Sequence, residues 1–292
     1  MLQSKFIDVD GIATHYFEAG EGPTVILMHG AALAIDSEFT WFRQIESLSE
    51  KYNVIAFDQP GFGLTALPGA GVYMGRERRF AHAMAFLDKL GIESAVLVGH
   101  SEGGYIAARM AIVAPHLVSA MIIVASGSTA PMLGGSADDA WIAASKRAYL
   151  VGETTEESFI ARLQGEAFRW DRRLEEVARR NIRRALADGQ VARMRNLPVE
   201  ETDMRHYMKV QEENVRPHLS RIRTPALLVW AANDETVPIE RGVALMRSLP
   251  GSDLCVLDSA RHNLMHDRHE AFDSIIANWI ASKTSQASRN VQ

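Results

Sequence analysis

Five short, near-continuously apolar runs recur along a chain of 292 residues: "PTVILMHG", "NVIAFD", "SAVLVGH", "VSAMIIVAS" and "ALLVWAA". A strand that is apolar on both faces must be covered on both faces, and the intervening segments have helical spacing. "SEFTWFRQIESLSEKY" follows the first run, "MGRERRFAHAMAFLDKLG" the second and "EGGYIAARMAIVAP" the third. Strand and helix in alternation predict a mostly parallel sheet flanked by helices, an α/β architecture. Ahead of them, "KFIDV" and "IATHYFEAG" predict a hairpin around Asp10-Gly11, a pair suited to positive φ.

The alternation breaks near Thr129. The next eighty or so residues carry helical patterns and no strand, and the β pattern then resumes with "ALLVWAA" and "DLCVLDSARHN". The expected organisation is one α/β core in two parts, 1–129 and 219–283, interrupted by an all-helical insertion, 130–218, and followed by a disordered polar tail, 284–292. Composition is compatible: 47% hydrophobic and 23% charged residues support a sizeable core. A net charge of -5 points away from nucleic acid as a partner. With Cys255 the single cysteine, no intramolecular disulfide and no cluster of thiolate ligands can form. The start, "MLQSKFIDVDG", lacks a secretory pattern, and no apolar run approaches the roughly 18 residues of a membrane span. A cytoplasmic protein without membrane contact is expected, with no cofactor and no metal; a homo-oligomer is left open.

The third run ends in Gly99-His100-Ser101-Glu102-Gly103, a G-x-S-x-G pattern between a strand and a helix. Small flanking residues allow the sharp turn that exposes a serine hydroxyl, and the next N–H lies at a helix N-terminus where it can hold an oxyanion. Serine needs a base and the base an orienting acid. His262 follows the last strand and Asp234 follows "ALLVWAA", both on loops leaving the same sheet edge. Asp258 and Asp267 compete with Asp234, and His266 and His269 with His262, but none has the same place relative to the strands. The loop His29-Gly30-Ala31-Ala32 after the first run supplies a second oxyanion N–H from Ala31 or Ala32, beside that of Glu102. His29 is read as holding this loop in shape.

With these stretches in place, "LMHG", "VIAFDQPGFGLT", "VLVGHSEGG", "ANDETVP" and "ARHNLMHDRHEAF", the sequence resembles the α/β-hydrolase superfamily over essentially its whole length, in its serine-nucleophile branch. Within it the chain looks most like the meta-cleavage product hydrolases, which hydrolyse a carbon–carbon bond in dienoates from aromatic ring fission. The resemblance implies a helical lid at the insertion and a lid arginine that holds a substrate carboxylate; Arg179 or Arg180 lies nearest that place. The family's usual asparagine and methionine around the nucleophile are here His100 and Glu102. Thr40 replaces an asparagine before Trp41, and Asn263 replaces a tryptophan after the histidine.

Residues 161–195 hold ten arginines against five acidic residues, spaced for ion pairs four apart such as Glu175 with Arg179 and Glu176 with Arg180. Thr40, Trp41, His100, Phe168, Arg179, Arg180 and Asn263 are the candidate substrate contacts, and Trp141, Trp170 and Met132 candidate apolar lining. The expected activity is that of a cofactor-independent serine hydrolase acting on a small molecule, with a carboxylate among the candidate substrates. Three substrate readings stay open: a ring-fission dienoate, a small ester or lactone, and a ligand bound without turnover.

Overall fold

A computed structural model describes residues 3–67, 75–149, 155–190 and 204–289. Eight strands among these form one sheet in the order β1-β2-β4-β3-β5-β6-β7-β8. The Asp10-Gly11 hairpin joins β1 (Ser4–Val9) to β2 (Ile12–Ala19), with Asp10 at φ 52° and Gly11 at φ 82°. β2 runs antiparallel to β4 (Asn53–Phe57). From there the sheet is parallel through β3 (Thr24–Met28), β5 (Ala95–His100), β6 (Val118–Val124), β7 (Ala226–Ala231) and β8 (Ser252–Leu257).

Side chains alternate between the two faces of the central strands, which explains their continuous apolar character. Ile26, Met28, Leu97 and Ile123 pack with Phe86 of α2 (Arg76–Lys89) and Ile106 and Met110 of α3 (Glu102–Val113). Leu27, Val96, Val98 and Ile122 pack on the other face with Trp41 and Ile45 of α1 (Ser37–Leu48) and with Phe272 and Ile276 near the C-terminus.

Between β6 and β7 the described residues form α4 (Ser136–Tyr149), α5 (Glu156–Gly165), α6 (Arg172–Ala187) and α7 (Met204–Asn214), with no strand among them. They pack in two groups. Trp141 of α4 and Tyr207 and Val210 of α7 join the hydrophobic cluster of α2 and α3. The apolar faces of α5 and α6 form a separate cluster with Leu33, Ile35, Phe39, Phe42 and Phe62.

After β7 come α8 (Ile239–Ser248), the short α9 (Leu264–Asp267) and α10 (His269–Arg289). The final helix thus runs beyond residue 283, where the sequence reading ends the folded core. "TSQASR" contains no proline or glycine to stop a helix already begun. Residues 290–292 of the expected tail lie outside the described residues.

Candidate active site

The turn from β5 into α3 is strained where the sequence pattern places it. Ser101 has φ 51° and ψ -116°, a left-handed conformation rare for a residue with a side chain. It is pinned on both sides: its N–H donates to Val124 O at 2.9 Å, and its carbonyl accepts from Gly104 N at 3.0 Å and Ser126 Oγ at 2.6 Å. Two glycines have steric reasons to be there. A Cβ at Gly99 would lie 2.3 Å from Gly103 O, and one at Gly103 would lie 2.3 Å from Met28 O.

Asp234 leaves β7 buried, and its Oδ1 accepts from Thr236 N and Val237 N, both at 2.8 Å. That leaves Oδ2 to accept from His262 Nδ1 at 2.9 Å. A second tie comes from the nucleophile strand: His100 Nε2–H donates to the His262 carbonyl at 3.0 Å, and the two rings lie 4.7 Å apart. A carbonyl can only accept, so Nε2 of His100 carries the proton. Burial, followed by the nearby His262, pushes His100 well below the ordinary imidazole range and keeps it neutral.

Two of the competing candidates, His266 and Asp267, are engaged elsewhere. His266 stacks on Phe42, with burial lowering its pKa to about 3. Asp267 accepts backbone N–H groups. His29 does hold its loop, accepting from Gln59 N at 2.9 Å and donating from Nδ1 to Gly30 O at 2.6 Å.

For His262, burial disfavours the imidazolium, but the charge and hydrogen bond of Asp234 outweigh it, with a further contribution from Glu166, so its pKa is raised. As a general base, His262 would work only when neutral. Serine-dependent turnover is therefore expected to rise with pH along a limb centred above 6.5, and Asp234→Asn to move that limb downward while lowering the rate by about 10⁴-fold. A pH profile of kcat/KM for both proteins checks this; a limb that stays put in Asp234→Asn would rule Asp234 out.

Ser101 and His262 open onto one cleft, floored by Gly30, Ala31, Ala32 and the start of α3 and walled by α4, α5 and α7. Its cavity volume is about 120 Å³. Ala31, Ala32, His100, Glu102 and Asn263 line it, as does Trp141. Five other predicted contacts are not brought there. Arg179 pairs with Glu175 and Glu156, and Arg180 with Glu38, so the charged face of α6 ties that helix to α5 and α1. Thr40 is buried within α1 with its hydroxyl bonded to Asp36 O, and Trp41 is core against Phe272. Phe168 is half exposed beneath the Arg261 guanidinium. Trp170 and Met132 also lie off the cleft, Trp170 donating to Glu175. Glu176 pairs with Arg172 rather than Arg180.

Among the described residues of the inserted helical segment, Arg162 of α5 reaches the cleft, beside Leu163 and Glu166, and it pairs with Glu166 at 3.3 Å. Sequence reasoning also missed Arg76, which is buried and donates from Nε and Nη2 to the two carboxylate oxygens of Glu102 at 2.7 and 2.8 Å. Ser128 Oγ donates to the same carboxylate at 2.7 Å, and Arg79 stands 3.5 Å away. The guanidinium of Arg76 lies between the rings of Tyr105 and Tyr207, at 4.7 and 4.6 Å. A signal was available: Arg76, Arg79, Ala83 and Phe86 fall on one helical face, so two cations share a buried stripe and require an acid. Among the described residues, no group of three or more His, Cys, Asp or Glu is placed to hold a metal ion, and no helix is long and apolar enough to cross a membrane.

A family profile described as alpha/beta hydrolase fold matches residues 23–269, and the chain belongs to that family and is a hydrolase. Among its relatives, a 2-hydroxy-6-oxo-6-(2'-aminophenyl)hexa-2,4-dienoic acid hydrolase of Metapseudomonas resinovorans is 35% identical over 42% of each chain. A 2-hydroxy-6-oxononadienedioate/2-hydroxy-6-oxononatrienedioate hydrolase of Klebsiella pneumoniae is 25% identical over 95% of this chain and 96% of its own. In three dimensions, a mutant meta-cleavage product hydrolase of Pseudomonas fluorescens IP01 superposes with a TM-score of 0.81 and 22% identity, covering 96% of this chain and 98% of that one.

Proposed function

We propose that the chain is a cofactor-independent serine hydrolase of small carboxylate-bearing molecules, with a ring-fission dienoate as the favoured substrate. The observation that carries the reading is the placement of His262, bonded to Asp234 on one side and facing, beside the strained Ser101, the cleft on the other. Ser101 Oγ attacks a carbonyl carbon as its proton passes to His262, whose imidazolium Asp234 stabilises. The N–H of Glu102 and of Ala31 or Ala32 hold the oxyanion. A dienol substrate first ketonises, with His262 assisting the proton transfer. The carbon–carbon bond then breaks with the enol fragment taking the proton from His262. Water, deprotonated by the same base, releases the acyl group as an acid. The α4–α7 helices act as the lid.

Arg162 is assigned to the substrate carboxylate, in place of Arg179 or Arg180. Loss of a charge-assisted contact costs about 1.5–3 kcal/mol. Arg162→Gln is therefore expected to raise KM for the dienoate about 10- to 100-fold and to leave neutral nitrophenyl esters nearly untouched. Equal loss on both substrates would remove Arg162 from carboxylate recognition.

A second reading, an esterase of small neutral acyl groups, is favoured by the existing Arg162–Glu166 pair, which leaves that arginine's charge matched without substrate. Loss of dienoate colour against nitrophenol release separates the two.

A further inference from the structure

One carboxylate outside the proposed triad joins the lid to the loop of the proposed base. Asp267, 4% exposed at the end of α9, accepts at Oδ1 from Phe168 N at 2.8 Å and Arg169 N at 3.0 Å, the segment that follows α5. Its Oδ2 accepts from Arg261 N at 2.8 Å, the residue immediately before His262. The Arg261 side chain repeats the connection, donating to Gly165 O and lying 5.1 Å over the Phe168 ring. The same helix, α5, presents Arg162, Leu163 and Glu166 to the cleft. Three backbone N–H groups on a single buried carboxylate satisfy both oxygens, and rotating the carboxylate to improve one set of bonds would weaken the other.

From this geometry, and resting on the assignment of Ser101 and His262 above, we infer that Asp267 is a positioning residue that couples the seating of the α5 corner to the placement of the base. A substrate that presses on Arg162, Leu163 and Glu166 thereby acts on the loop that holds His262. The base has two further anchors, Asp234 on its ring and His100 on its carbonyl, so loosening Asp267 shifts the ring without releasing it.

Three variants test the coupling: Asp267→Ala, which removes every acceptor; Asp267→Asn, which keeps one; and Arg261→Met, which removes only the side-chain strap and tolerates folding best. Amide hydrogen exchange is read at 166–169 and 260–262, and Ser101 is labelled with a small fluorophosphonate across pH. Exchange is expected to rise in both segments together, most in Asp267→Ala and least in Arg261→Met. Labelling is expected to slow by about 10- to 100-fold, the range that an ångström of misplacement produces. Its acid limb should move toward the ordinary imidazole value as the His262–Asp234 contact loosens, a shift that loss of folded protein alone would not produce.

Folded variants whose exchange rises in one segment only, or whose labelling rate and limb match the parent, would overturn the coupling. If the parent itself is not labelled at Ser101, the nucleophile assignment fails, while the exchange arm still decides whether Asp267 joins the two segments.

Discussion

Ser101→Ala is expected to lower kcat by about 10⁴- to 10⁶-fold, the range seen when a nucleophile is removed from a serine hydrolase. Removing the hydroxyl leaves the proposed oxyanion donors and the cleft in place, so substrate binding should survive and KM should change little. The backbone provides a control that chemistry alone would not. At φ 51° an alanine keeps the same steric penalty as the serine, whereas a glycine does not. Ser101→Gly should therefore be as inactive as Ser101→Ala but more stable by about 1–3 kcal/mol, the strain such a conformation stores. Turnover and a denaturant melt of the two variants give both answers. A Ser101→Ala protein that keeps more than a hundredth of the parent rate would transfer the chemistry to another group.

The second large effect lies beneath the proposed oxyanion site. Glu102 and Arg76 are both buried, and burial opposes both charges. The two guanidiniums nevertheless hold the Glu102 carboxyl below its ordinary range. Arg76→Met leaves the buried Glu102 carboxylate with Ser128 and the more distant Arg79 as partners, and is expected to cost about 3–5 kcal/mol. Replacing both, Arg76→Met with Glu102→Met, should recover much of that loss, since a matched buried pair contributes little net over apolar side chains of similar volume. Recovery will be incomplete because Arg79 also faces the carboxylate. A depressed carboxylate stabilises fully above its unfolded pKa, near 4.5, and that contribution fades as the pH falls through the lower folded value. Urea melts of the four proteins at neutral pH decide the matter. A double variant as unstable as the sum of the singles would show that the two side chains act separately.

Much of this architecture is legible in the residues because it rests on local rules. The Asp10-Gly11 turn, the doubly apolar strands and the strand–Ser–helix corner each follow from backbone sterics or two-sided burial. The juxtaposition of Asp234 and His262 follows from parallel strands delivering their loops to one edge. Less was readable wherever long side chains choose among several partners. A basic helix such as α6 states its charge but not its rotation. Its arginines turned toward Glu38, Glu156 and Glu175, and the cleft received Arg162 from α5, where the sequence shows only one arginine among many. Thr40 and Trp41 make the same point on α1: Thr40 bonds Asp36 O and Trp41 packs on Phe272, so neither lines the cleft. Glu102 illustrates the same limit: its position in the first turn of α3 predicts a dipole contact, but its partner comes from 26 residues upstream.

The division of the inserted helices into two packing groups has a consequence for how this enzyme can change. Trp141 and Tyr207 belong to one group and Leu163 and Ile35 to the other, and the cleft is the seam where the groups meet. Replacements along one bank of that seam can alter which molecules fit without disturbing the packing that steadies the opposite bank. Selection can therefore revise the clientele of the site one bank at a time, while the corner that carries Ser101 and the loop that carries His262 keep their geometry.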